Sequence, residues 1–285
     1  MTAIVLAALS AFLFGAMTVL VRIALRTGAA PEAGTLYTIV PAFSVTALVA
    51  LGRGSTGDAA DAWPFLFAGV LAPGIAQILF TFAVRDAGAS RTSVTVGTAP
   101  LFAVAAALLF LDEPLVAGLV VGAALIVTGG ILLASDGARP EHFARIGLVY
   151  ALLCTVAFSL RDPLVRWLGT EATDVEPILA ASVTMLSGTA VVLGFALTRR
   201  VALSRRSALR FVPAGACYGL SYVFLFEAFY RGRVTVVSPL VATETLWGVG
   251  LSAVLIGHRE RVGRRLVVGA ILIVAGGVLI GARSS

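Results

Sequence analysis

Glu244 stands near the middle of a long apolar run at residues 235–256, TVVSPLVATETLWGVGLSAVLI. A carboxylate at membrane depth is costly and as a rule faces a cavity or a partner. It could meet a substrate ammonium or carry a coupling proton; the alternative is a structural partner for a buried arginine or hydroxyl. On a continuous helix Thr235, Ser238, Thr245 and Ser252 form one stripe, roughly 100° away from Glu244. Both border one cavity only if it flanks this helix broadly.

A second cluster is Thr155, Ser159, Asp162 and Arg166, whose spacings of four, three and four put them on one helix face. Arg161 beside them could bind a carboxylate through its planar fork. The preferred reading pairs Asp162 with Arg166 four residues on, while Arg161 reaches out to the membrane surface. Gln77, four residues before Thr81, is the single side-chain amide in a chain without asparagine. An amide can read both ends of a zwitterion, or simply join helices. Pro73, Pro100 and Pro239 either free backbone carbonyls for a ligand or kink their helices. Tyr218, Ser221 and Tyr222 share a face and could wall an aromatic pocket beside Trp247, although aromatics in a span more often serve packing. Glu227 and Arg231, four apart, suit a local ion pair. His142 and His258 have no ligand partners in sequence, so no metal site is expected.

These residues must be held by elements that cross a membrane. Of 285 residues 59% are apolar and 13% charged, and the mean hydropathy is +1.00. Such a composition excludes a soluble globular enzyme, a disordered chain and a collagen-like fibre. Ten stretches are long enough to cross: 3–25, 34–51, 63–84, 91–110, 115–134, 146–168, 176–197, 210–230, 234–256 and 265–282. They are continuous runs rather than alternating strands, which excludes a β-barrel. The gaps are too short for a soluble domain. All 21 basic residues are arginines lying between apolar runs, which argues for membrane orientation rather than nucleic acid. Cys154 and Cys217 lie inside apolar runs and read as small buried hydrophobes.

The residues 121–132, VGAALIVTGGIL, match 268–279, VGAILIVAGGVL, at nine of twelve positions. Moving backwards, Glu113 falls on Glu260, Ser93 on Ser238, Thr98 on Thr243, Phe102 on Trp247 and Phe14 on Phe158. The chain is thus two copies of a five-span unit, 1–135 and 146–285, joined by a loop at 136–145. Five is odd, so the second copy inserts upside down. Inverted repeats mark secondary transporters, with a substrate site near the midplane. Gly118, Gly122 and Gly129 are mirrored by Gly269 and Gly276, with Gly277 and Gly281 nearby. They suit close packing within one chain or, as the sharper option, a dimer face. The loops after spans 1, 3, 5, 7 and 9 hold fifteen arginines against six on the other side. This places that side in the cytoplasm and both termini outside.

Leu111-Asp112-Glu113-Pro114-Leu115 followed by Gly122 and Gly129-Gly130, their counterparts Gly257 to Glu260 with Gly269 and Gly276-Gly277, and Thr98-Ala99-Pro100-Leu101-Phe102 together resemble the drug/metabolite transporter superfamily. The likeness spans nearly the whole chain and is nearest the EamA-type exporters, among them the YddG-type amino-acid exporters. One departure is Glu244-Thr245, where such proteins more often carry a small residue and proline. The resemblance implies an all-α polytopic membrane protein, with ten transmembrane helices as two inverted five-helix repeats around a central cavity. Spans 1, 3, 4, 6, 8 and 9 would line it. The implied function is export of small metabolites, foremost zwitterionic amino acids, across a bacterial inner membrane by alternating access. Multidrug or other metabolite export is the alternative. An intramembrane lipid enzyme lacks its nucleophile–base pair or metal ligands here. No cofactor is expected, since no Gly-rich phosphate loop is present. The expected partners are the substrate and the bilayer, with no nucleic acid and a monomer favoured over a homodimer. Candidate binding or coupling residues are Glu244, Gln77, Tyr222, Ser238, Trp247, Tyr218, Thr81, Pro100, Ser159 and Arg161.

Overall fold

A computed structural model describes residues 2–25, 27–55, 59–87, 95–96, 98–111, 116–134, 145–256 and 264–283. Among the described residues every regular element is helical. In chain order these are α1 (Thr2–Leu25), α2 (Pro31–Gly52), α3 (Pro64–Gly69), α4 (Ala76–Ala87), α5 (Ala99–Phe110), α6 (Ala117–Ala134), α7 (Ile146–Trp167), α8 (Pro177–Thr198), α9 (Arg205–Arg231), α10 (Val234–Val241), α11 (Glu244–Ile256) and α12 (Arg264–Arg283). A π-helical turn at Val70–Ile75 joins α3 to α4, and another at Leu168–Ala172 extends α7. In hydrocarbon each backbone N–H and C=O must find its partner internally, so apolar runs of this length close into helices. Six helical stretches are long and apolar enough to cross a bilayer, and shorter apolar helices accompany them. The protein is an all-α polytopic membrane protein.

The repeat is visible in local geometry. Pro31 and Pro177 both open a helix, where a missing N–H costs nothing, after residues with extended backbone. Both helices close alike. The N–H of Ser55 bonds to the Ala50 carbonyl and that of Val201 to the Ala196 carbonyl. Between them Gly54 and Arg200 take left-handed φ values of 71° and 51°.

Packing follows the same exchange. α1 packs on α9 as α7 packs on α4, and α1 packs on α11 as α7 packs on α5. α2 meets α8, and α6 meets α12. The α6–α12 contact fixes the relative direction of the copies. A Cβ on Gly122 would stand 2.9 Å from the Gly276 carbonyl oxygen, and one on Gly129 would stand 2.5 Å from that of Gly269. As numbers rise along α6 they fall along α12, so the matching segments run antiparallel. Gly122, Gly129 and Gly276 are therefore consumed by packing inside the chain, and the dimer-face option for these glycines is withdrawn.

Two crossings are broken rather than continuous. Between α10 and α11 the helix is interrupted at Ala242-Thr243, and α5 opens after Thr98. The breaks share one chemistry. The Thr243 hydroxyl donates to the Leu240 carbonyl at 2.6 Å, and the Thr98 hydroxyl donates to the Thr95 carbonyl at 2.6 Å. A threonine bonded back to its own helix in this way competes with the ladder and bends it. Ser93, Asp112, Glu113, Gly257, Glu260, both histidines and residues 136–144 of the connecting loop lie outside the described residues.

Candidate functional site

Arg161 is the centre of the described polar interior. It sits on α7 and is 5% exposed, so it does not reach the membrane surface. Its Nε lies 2.9 Å from Asp162 Oδ1, and its guanidinium stands 5.3 Å from the ring centre of Tyr222 and 5.7 Å from that of Phe158. The preferred sequence reading of Arg161 is thereby corrected. A neighbouring carboxylate and two aromatic faces replace the water a surface arginine would seek, so burial becomes tolerable. Arg166 instead donates from Nη1 to the carbonyls of Phe229 and Tyr230 at 2.6 and 3.0 Å, tying α7 to the end of α9. Arg161 Nη1 is buried with no acceptor in hydrogen-bonding geometry, and so is the Tyr222 hydroxyl.

The second oxygen of Asp162 accepts a hydrogen bond from Ser238 on α10. One turn earlier on α7, Ser159 donates to the Ala99 carbonyl at 3.0 Å and Thr155 donates to the Thr95 carbonyl at 3.2 Å. The α7 face foreseen from spacing therefore docks on both broken crossings. Ser159 and Thr155 hold the carbonyls around the break before α5, and Asp162 holds α10.

Tyr218 and Tyr222 are buried and meet edge to face, with ring centres 5.2 Å apart. Phe14 of α1 packs against both, at 5.7 and 5.9 Å. Phe158, the repeat mate of Phe14, lies beneath Arg161. These two phenylalanines flank the arginine–tyrosine cluster from the two halves. The repeat match Phe14–Phe158 was the signal that could have put both among the candidates.

Glu244 is the first residue of α11 and not a mid-helix residue. The break at Ala242-Thr243 interrupts the wheel, so the 100° separation from the Ser238 stripe does not apply across it. A carboxylate in the first helical turn is favoured by the helix dipole. Gly15 of α1 lies directly on this turn. A Cβ there would stand 2.8 Å from the Glu244 carbonyl oxygen and 2.7 Å from Trp247 Cβ. Its repeat mate is Ser159, which reaches the corresponding carbonyl of Ala99 by a hydrogen bond. The same inter-half contact is thus made once by a bare backbone and once by a hydroxyl.

The other candidates stand apart from Arg161. Trp247 is 41% exposed and its ring meets Phe12 edge-on at 5.3 Å, which corrects the expectation of a wall shared with the tyrosines. Thr81 bonds Thr35 of α2 at 3.0 Å and the Gln77 carbonyl at 2.9 Å, joining two helices. Gln77 is half-buried, next to Ala76, whose carbonyl accepts from Cys154 at 3.3 Å. Cys154 is seven residues before Arg161, roughly 10 Å along the helix. Pro100 opens α5 and does not kink it. Pro239 lies inside α10 and Pro73 inside the first π-helical turn, where Ala72 leaves helical geometry at φ −149°, ψ 120°. Glu227 pairs with Arg231 as foreseen, and also meets Arg53 at 3.8 Å. Among the described residues no group of three acidic, histidine or cysteine side chains could hold a metal.

The model of the EamA-like transporter family matches residues 1–135 and again 145–282. No curated protein matches the chain. One solved crystal structure is similar over 99% of this chain and 97% of its own, with a TM-score of 0.83 and 19% identity, a likeness that carries the fold alone. With both halves matched in turn, over a polytopic helical fold whose copies pack by exchange, the chain belongs to the EamA-like transporter family.

Proposed function

We propose that this membrane transporter exports amino acids by alternating access around a central cavity between its halves. The observation that supports the reading is a donor left open inside the membrane: Arg161 is buried on α7 and its Nη1 has no acceptor in hydrogen-bonding geometry, while the carboxylate Glu244 opens α11. Arg161 Nη1 would take the substrate carboxylate, and Glu244 would take the ammonium. Tyr218 and Tyr222 would hold the guanidinium from its face, while Ser159 and Ser238 keep the two broken crossings in place. Gln77 and Thr81 would line the approach along α4, Pro100 would set the start of α5, and Trp247 would border the opening near Phe12. In this reading the units are 1–135 and 146–285, the arginine-rich loops face the cytoplasm, and the membrane is a bacterial inner membrane.

The test is exchange in proteoliposomes loaded with unlabelled amino acids, following uptake of labelled ones. Saturable exchange above protein-free vesicles is expected. The Glu244→Gln variant, shown to be folded, should lose most of it. Unchanged flux in that variant would remove Glu244 from substrate binding, and no exchange of any amino acid by folded protein would overturn the substrate class.

A further inference from the structure

A second feature lies on the outer wall, away from the charged cluster. α2 and α9 diverge to leave an apolar groove between Leu36, Tyr37 and Val40 on one side and Ala208, Leu209 and Val212 on the other. Val40, Leu209 and Val212 are 42%, 62% and 43% exposed, so the groove opens toward lipid. Arg205 stands at one end of it, on the same face of α9 as Ala208, Leu209 and Val212. The Tyr37 hydroxyl accepts from the Ser204 backbone N–H and closes the groove beneath Arg205.

The start of α9 carries charge of one sign, while α2 brings a single carboxylate, Glu32, one turn before Leu36. Arg199, Arg200, Arg205, Arg206 and Arg210 gather within twelve residues, all exposed, and no acidic residue occurs between Glu176 and Glu227. Among the described residues none of the five has a carboxylate partner; Arg199 stands 5.7 Å from the Phe195 ring instead. An apolar slot about two helical turns long, ending in five exposed arginines against one carboxylate on the facing helix, has the chemistry of an acyl chain continued by an anionic headgroup.

We infer that the α2–α9 groove binds an anionic phospholipid, its acyl chain along Val40, Leu209 and Val212 and its phosphate on Arg205. The inference does not depend on the transported substrate. The probe pair is dioleoyl phosphatidylglycerol and dioleoyl phosphatidylcholine, added to delipidated full-length protein, with lipid retention read by intact-complex mass and stabilisation by thermal unfolding. Phosphatidylglycerol should bind at about five-fold lower concentration than phosphatidylcholine, the worth of one arginine near an anionic lipid. Arg205→Gln should abolish this preference, whereas Arg233→Gln, the same charge loss at an exposed site elsewhere, should retain it. Ala208→Trp, filling the groove, should weaken retention of both lipids. Glycerol phosphate at matched concentration should not stabilise the protein. Equal binding of the two lipids, a preference that survives Arg205→Gln or falls equally with Arg233→Gln, undiminished retention in folded Ala208→Trp, or full stabilisation by glycerol phosphate would each overturn the site.

Discussion

Replacing Asp162 by asparagine separates the structural from the binding role of Arg161. Asparagine keeps the shape and an acceptor for Ser238, but removes the charge beside a guanidinium that is 5% exposed. Breaking a buried pair by deleting one partner costs about 3–5 kcal/mol, because the remaining charge is left without compensation. Tyr222 and Phe158 keep their faces on the guanidinium, which sets the expectation at the lower end, about 3 kcal/mol. For a chain of this size that lowers Tm by the order of 10 °C. The double variant Arg161→Met, Asp162→Asn removes both charges and should recover most of the loss, giving a coupling of about 2 kcal/mol or more in the cycle. Thermal unfolding of the purified single and double variants measures this. Exchange flux then divides the roles: the recovered double variant should remain inactive, since nothing is left to hold a carboxylate. An Asp162→Asn variant melting with the wild type, or a double variant melting as low as the single, would refute the buried pair. A stable, fully active double variant would leave the pair structural and move carboxylate recognition elsewhere.

Gly276→Ala should destabilise by about 1–3 kcal/mol, because its Cβ would stand 2.5 Å from the Gly122 carbonyl oxygen and the helices must part; thermal unfolding reports it. Gly194→Ala, with nothing within 4 Å of the new methyl, should be neutral or stabilising by up to about 1 kcal/mol in the same assay. Ser159→Ala should cost about 1 kcal/mol of stability by losing the bond to the Ala99 carbonyl. Arg166→Gln should cost about 1.5–3 kcal/mol, since a charged donor to two carbonyls is lost, with lower Tm as the readout.

Apolar runs of full membrane length left little choice but helices, and the near-identity of 121–132 and 268–279 exposed the duplication. The antiparallel sense of the copies followed from an odd number of crossings. The break at Thr243 was hard to place, because the proline of that run, Pro239, lies inside α10 four residues earlier; only the alignment of Thr98 with Thr243 hinted at a shared device. Misplacing Glu244 on a continuous wheel was the consequence. Arg161 was misjudged because spacing along one helix speaks only of neighbours on that helix. What keeps the guanidinium inside is the Tyr222 face, supplied by α9, together with the adjoining Asp162. Trp247 and the tyrosines share an aromatic character but not a location, since α1 brings Phe12 to one and Phe14 to the others.

The glycine seam between α6 and α12 has a consequence for assembly. Because the contact is made by matching segments lying head to tail, one five-helix unit inserted in both orientations could build the same seam between two separate copies. Such a pair would depend on each orientation being populated equally, and any excess of one would be left without a mate. Joining the units through a single linker fixes one upright and one inverted copy in every molecule. It also frees the two halves to differ, as Gly15 and Ser159 do at equivalent contacts, which two copies of one sequence never could.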